Sequence, residues 1–301
     1  MTRVVVLALA VLAVAAGTAP AAHARAAIGI GDQKASMFDD PRFRTLGIRY
    51  ARLAVAWDAM SHAWQRDEID AWMNGARRAR VQPLVTFGHS RTERRSLPTP
   101  SRFKYEVRRF RERYPWVDTY ATWNEANHCG EPTCNRPALV AAYYKALRRE
   151  CQGCTVLAAE LLDMPNMVAW TKRFRKAAQR EPEVWGLHNY VDTNRFKTTS
   201  TRALLRAVRG DVWLTEVGGL VRRTNPTRVP LDESPSHAVR ALNWLFREIL
   251  PISPRLSRVY IYQWRAGGPG ESWDSALFTP GGRPRGAYQV VKRQILARRR
   301  A

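Results

Sequence analysis

Trp116-Val-Asp-Thr-Tyr-Ala-Thr-Trp-Asn-Glu-Ala-Asn-His128 is the stretch from which the fold is read. Its first part is an alternating, β-branched and aromatic run that stops at Trp123-Asn124-Glu125. Such a run reads as a strand, here one that ends in a carboxylate. A polar loop with Cys129 and Cys134 follows, and helical spacing begins at Pro137. A strand, a carboxylate at its C-terminal end and then a helix make one unit of an α/β barrel, and that end of the strand is where barrels keep their functional groups.

The same unit recurs outward in both directions. Strands are predicted over 27–31, 48–57, 81–87, 117–123, 155–159, 184–187, 212–215 and 259–264. Helices are predicted over 36–46, 67–80, 101–113 with Ser101 as N-cap, 137–149, 166–180, 201–208, 236–250 and 286–298. The strands are short and apolar, which suits a parallel sheet covered on both faces. Eight such units in 301 residues predict one closed (β/α)8 barrel, a TIM barrel, rather than an open sheet. No linker or shift in composition marks a second domain.

The chain is 45% hydrophobic, enough for a sizeable core. Its beginning reads differently. Arg3, an apolar run over 4–16, and the small-residue sites Ala22-His-Ala24 and Ala24-Arg-Ala26 form a signal-peptide pattern over 1–26. That leaves 27–301 as the barrel domain of a secreted, extracellular protein. The early apolar run is too short to cross a bilayer, and no later one is long enough, so no integral membrane segment is expected after cleavage. Four cysteines suit an oxidising compartment. Pairing of Cys129 with Cys134 and of Cys151 with Cys154 is the simplest of three connectivities. A zinc site is the rival reading of these spacings, which the export signal disfavours. Cys151 stands at the end of a predicted helix, not at a helix start as a thioredoxin-like motif requires.

The formal net charge is +23 and the pI about 10.9. A surface of that sign attracts polyanions, and an anionic cell-wall polymer is a candidate partner. The arginines are spread over 77–80, 91–95, 108–113 and 298–300 without a gathered aromatic set, which reads as a solvated surface with no specific nucleic-acid partner. Gly29-Ile-Gly31 lacks a third glycine, with Lys34 in its place, so no dinucleotide cofactor is expected.

A barrel collects its strand ends around one mouth, so Glu125 and Glu216, far apart in sequence, are expected to face each other. Two carboxylates across a polar cleft suit cleavage of a glycosidic bond, one as acid and then base, the other as nucleophile. The acid needs a raised pKa and the nucleophile must stay ionised. Arg52 and Tyr190 are placed to hold Glu216 as an anion. Trp57, Trp123, Tyr190 and Trp264 fall near strand ends, where rings could stack on sugars. His89, Asn124, His188 and Asn189 could bond sugar hydroxyls. Glu160, Asp58 and Asp163 read as subsite or structural carboxylates. There is no G-x-S-x-G elbow, and neither His-x-His nor HExxH is present. The alternative is a non-catalytic carbohydrate- or cell-wall-binding barrel, whose mark would be loss of one glutamate.

Asn124-Glu125 ending strand four, His188-Asn-Tyr190 after strand six, Glu216 ending strand seven and Trp264 ending strand eight resemble the pattern of clan A retaining glycoside hydrolases. That (β/α)8 superfamily includes cellulase-like family 5 and xylosidase-like family 39. Arg52 in Ala51-Arg-Leu-Ala-Val-Ala-Trp57 resembles the clan's strand-two arginine. The resemblance implies Glu125 as acid/base, Glu216 as nucleophile, Asn124 bonding the sugar 2-hydroxyl, and Tyr190 and Arg52 positioning Glu216. It implies retaining cleavage of O-glycosidic bonds in a poly- or oligosaccharide through a glycosyl-enzyme intermediate. A monomer acting without a cofactor is expected. Ala126 departs from the pattern, since many members carry proline there.

Overall fold

The computed structural model describes residues 26–224 and 230–299. The predicted signal segment lies outside the described residues apart from Ala26, and so does part of the predicted loop over 222–235. Eight parallel strands close into one barrel in chain order: β1 (Ala27–Gly31), β2 (Tyr50–Ala56), β3 (Gln82–Gly88), β4 (Thr119–Ala121), β5 (Thr155–Leu162), β6 (Val184–His188), β7 (Asp211–Val217) and β8 (Arg258–Tyr262). The chain is a (β/α)8 barrel. Around the strands run α1 (Pro41–Leu46), α2 (Ala63–Arg78), α3 (Pro100–Arg113), α4 (Pro137–Glu150), α5 (Met167–Ala178), α6 (Tyr190–Asn194), α7 (Thr199–Ala207), α8 (Pro235–Trp244) and α9 (Gly286–Arg299). Among the described residues, no helix is long and apolar enough to cross a membrane.

Local chemistry sets the ends of several helices. Asp40, Thr99 and Ser234 each accept from a backbone N–H of the first turn, and each is followed by proline at the first helical position. A capping side chain with proline next to it starts a helix at a defined residue. Thr99 therefore caps α3, not the predicted Ser101. The predicted helix over 36–46 is broken in the same way: a short 3-10 turn, Ala35–Met37, is followed by α1, which the Asp40 cap restarts. The predicted helix over 236–250 stops at Trp244 and continues through a π turn, Leu245–Ile249, into a 3-10 turn, Leu250–Ile252. Short α6 was not expected. Within the Gly-rich loop, Trp273–Asp274 pairs antiparallel with Arg222–Arg223 as a two-residue ribbon.

The barrel closes between its first and last strands, with Ala27 opposite Arg258 and Gly31 opposite Tyr262. Beyond that seam, the buried Asp32 carboxylate accepts from the backbone N–H of Lys34 at 2.8 Å, Trp264 at 3.0 Å and Arg265 at 3.2 Å. Gly29 is required on the seam, because a Cβ there would lie 2.7 Å from Tyr260 Cδ1 and 2.8 Å from the Tyr50 carbonyl oxygen. The main apolar core lies mostly between strands and helices. A separate cluster of Leu84, Ala121, Leu157, Trp213 and Tyr260 joins β3, β4, β5, β7 and β8. Strands that are not neighbours can meet like this only across the barrel interior, so these side chains plug the lumen.

Both cysteine pairs are local. Cys129 and Cys134 bridge within the β4–α4 loop, and Cys151 and Cys154 bridge between α4 and β5, with Cα atoms 4.7 Å and 5.4 Å apart.

Candidate active site

Strict alternation would not have brought the carboxylates of β5 and β7 inside. Leu157 and Trp213 belong to the lumen plug. Glu160 and Glu216 each come three residues later, an odd spacing that should turn them outward. The ladder is irregular at both places, with register shifts between Leu157 and Glu160 and between Leu214 and Val217. A third shift separates Leu187 from His188. Such bulges re-aim side chains, and here they turn Glu160 and Glu216 into the barrel.

Arg52 of β2, 1% exposed, is the hub. Its Nε donates to Glu160 Oε1 at 2.8 Å and its Nη1 to Glu216 Oε2 at 2.7 Å. Its Nη2 donates to Asn124 Oδ1 at 2.7 Å and to Glu160 Oε2 at 2.5 Å. Tyr190 Oη donates to Glu216 Oε1 at 3.1 Å. His188 lies between two glutamates, with Nδ1 3.1 Å from Glu125 Oε1 and Nε2 3.4 Å from Glu160 Oε2. His128, within the loop after β4, brings Nδ1 to 3.6 Å from Glu125 Oε2. Thr86 Oγ1 donates to Glu160 Oε1 at 3.0 Å. The Glu125 and Glu216 side chains keep 23% and 16% exposure, whereas Glu160 and His188 have none. Glu125 holds φ of +43°, in the left-handed region that few residues with a Cβ occupy.

The charges respond to these neighbours. For Glu160, burial opposes ionisation, but Arg52 and His188 outweigh it and hold the carboxyl at about 2. Burial works against the charge of His188 as well, yet Glu216, Glu125 and Glu160 raise it to about 9. Burial alone would lift Glu125. The His188 hydrogen bond and the charges of His188, His128 and Arg52 hold it below the usual carboxylate range instead. That direction is opposite to the raised pKa expected of the acid, and a charged His188 is the physical reason. Tyr190 is pushed up by burial and by the Glu216 charge.

Arg52, Asn124, Glu125, His188, Tyr190 and Glu216 thus meet in one network. Trp264, Trp57 and His89 do not join it. Trp264 is 1% exposed. Its indole N–H donates to Asp40 Oδ2 at 3.2 Å, and its ring packs among Phe43, Phe278 and Tyr288. It offers no face at the mouth, contrary to the expected stacking platform. Trp123 is likewise buried, stacked on Tyr143 with its N–H on Glu131. Trp57 is buried with its indole N–H unpartnered, and the buried Asn189 amide is unpartnered too. Both ring nitrogens of His89 are engaged, Nδ1 with Glu131 at 2.7 Å and Nε2 with Arg94 at 3.0 Å. Asp163 accepts from the Val191 and Asp192 N–H groups and so holds the start of α6.

Glu160, read from sequence as a subsite or structural carboxylate, lies within the centre itself, and one further residue near the site carries no sequence signal. Trp273, on the ribbon, packs edge-on to Tyr190 with ring centroids 4.7 Å apart and keeps partial exposure. No periodicity marks it in a Gly-rich loop. One donor atom each from Glu125, His188 and Glu216 lies within 4.8 Å of the others, a spacing that could suit a cation. Arg52 and His188 already supply positive partners to these carboxylates.

No protein-family model matches the chain, and no curated protein matches it in sequence. Solved structures match in shape. A family 39 glycoside hydrolase from the gut symbiont Bacteroides cellulosilyticus has a TM-score of 0.58 at 15% identity, over 91% of this chain and 64% of that one. A β-glucuronidase from an uncultured Clostridium sp. has a TM-score of 0.61 at 10% identity, over 91% and 50%. Xylanase 10B from Thermotoga petrophila, in complex with xylobiose, has a TM-score of 0.60 at 8% identity, over 90% and 94%. The chain therefore spans 64% and 50% of the lengths of the first two. At such identities the likeness shows the barrel fold.

Proposed function

We propose that this protein is a retaining glycoside hydrolase of the clan A type, acting on O-glycosidic bonds of a poly- or oligosaccharide. The observation that carries the reading is the placement of Glu125 and Glu216, each with an oxygen within 4.8 Å of the other, at the mouth of the barrel. Retaining enzymes hold their carboxyl groups about 5–5.5 Å apart, whereas inverting ones leave about 6.5–9.5 Å for a water. Glu216 is fixed by Arg52 and Tyr190 on its two oxygens, as a nucleophile must be. In this mechanism Glu216 attacks the anomeric carbon while Glu125 gives a proton to the leaving oxygen. Glu125 then takes a proton from the water that releases the sugar from Glu216. The Asn124 amide, whose oxygen is held by Arg52, keeps its NH2 for the sugar 2-hydroxyl.

The leader-like beginning and the two disulfides favour export, with 27–301 as the catalytic domain. The +23 charge favours retention on an anionic wall polymer. Bacterial-wall and plant polysaccharides are the substrates to screen, with product anomers read by NMR. Glu216→Gln should lower kcat by at least about 10⁴-fold, the scale seen when a nucleophile is removed. Activity that survives this change, or an inverted product, overturns the assignment. Binding without release by the wild type would favour a carbohydrate-binding barrel instead.

A further inference from the structure

Three glutamates, not two, converge on this centre, and the third is the most buried. Glu160 has no solvent exposure, and its oxygens take Arg52, Thr86 and His188. The barrel makes room for it. A Cβ on Gly186 would lie 2.6 Å from Glu160 Cγ, so only glycine fits at that point of β6. A buried ion pair is weak support for stability, because desolvation offsets most of its attraction. The arrangement therefore calls for another role.

Counting protons defines one. Arg52 Nη2 carries two hydrogens, and Asn124 Oδ1 and Glu160 Oε2 take both. None remains for His188 Nε2, 3.4 Å away. Nε2 must then carry its own hydrogen and donate it to Glu160, which leaves Nδ1 facing the Glu125 carboxylate at 3.1 Å. One proton lies on that line, on Nδ1 or on Glu125.

We propose that Glu160 is a positioning residue for the acid: it fixes His188 against Glu125 so that the proton given to the leaving group belongs to the Glu125–His188 pair. This rests on the glycosidase reading. With the proton on Glu125, His188 is neutral and still bonded to Glu160. As the glycosidic C–O bond breaks, its electron pair goes to the leaving oxygen, which takes the Glu125 proton. In the second half, Glu125 takes a proton from water while the water oxygen bonds the anomeric carbon and the Glu216 ester bond breaks. The pair is then restored.

The groups that face His188 are Arg52 from β2, Glu125 from the loop after β4, Glu160 from β5 and Glu216 from β7, while His128 faces Glu125, and Tyr190 and Tyr262 face Glu216. Their balance favours a proton on the pair up to about pH 9.

The test is the ¹⁵N NMR titration of His188, assigned by its loss in His188→Asn, beside the pH profile of kcat/KM. In the wild type His188 should keep its proton well past pH 7. In Glu160→Gln its titration, and the alkaline limb of kcat/KM, should move down by at least about one pH unit, a tenfold loss above the limb. The acid limb should stay. A wild-type His188 that titrates near pH 6.5, or a limb and titration unmoved by Glu160→Gln, overturns the proposal. Should Glu160→Gln fail to fold, the wild-type titration still decides. The NMR readout needs no substrate, so it tests the pairing separately from the Glu216→Gln test of glycosidase action.

Discussion

Arg52 and Arg113 carry the same guanidinium, and each meets carboxylates, yet they behave as different chemistry. Arg113 on α3 reaches Asp70 of α2 from the solvated surface, with 44% and 29% side-chain exposure. Arg52 sits in the lumen at 1% exposure, and its partners Glu160, Glu216 and Asn124 come from three other segments of the barrel. Water and salt screen the outer pair, which can part at little cost. In the lumen nothing replaces a lost partner, so each charge there fixes the protonation of its neighbours. A net charge of +23 is therefore mostly a property of the surface, while one buried arginine organises the site.

The sharpest way to break that contrast is Arg52→Met. It leaves Glu160 and Glu216 without their guanidinium and should destabilise the fold by about 3–5 kcal/mol, measured by denaturant unfolding. A loss below about 1 kcal/mol would place the lumen in the same class as the surface. A smaller effect is expected from pH. His188 is raised from its ordinary 6.5 to about 9, so its contribution is complete below pH 6.5 and is lost as pH climbs through 9. Glu160 is lowered from 4.5 to about 2, so its contribution is complete above pH 4.5 and is lost as pH falls through 2. Thermal unfolding should show a plateau between these ordinary values. An alkaline decline on the order of 2 kcal/mol should persist at about 1 M salt. A profile flat up to pH 10 would contradict it. The smallest effect belongs to Arg113→Gln, at less than about 1 kcal/mol and erased by salt. A larger, salt-resistant loss would mean that the surface arginines are not mere solvated charge.

The sequence reading was strong where local pattern and topology agree. Short apolar strands alternating with helices count to eight, and the placement of Arg52 within β2, of Glu125 just after β4 and of Glu216 near the end of β7 follows from that count. Glu160 reads from sequence only as a subsite or structural carboxylate, because its inward aim depends on a bulge, three residues after an inward Leu157, and alternation cannot show this. Trp264 fits the pattern by position alone. Its burial depends on Asp40, Phe43 and Phe278, which belong to the cap of α1, to α1 and to the loop after β8. Trp273 reaches Tyr190 only because Arg222–Arg223 pairs with its strand. In each case the deciding contact is distant in sequence.

The seam between β1 and β8 has a consequence for how the molecule comes into being. Asp32 must wait for the Trp264 N–H, 232 residues later in the chain, before its clamp can close. Parallel pairing over such a separation is slow, since loop entropy is lost before contacts return it. Until the cylinder is shut, water can reach Arg52, Glu160 and His188 and level their proton affinities. Acquisition of reactivity and completion of the fold are then one event, and a half-made chain carries the right residues without their acidity.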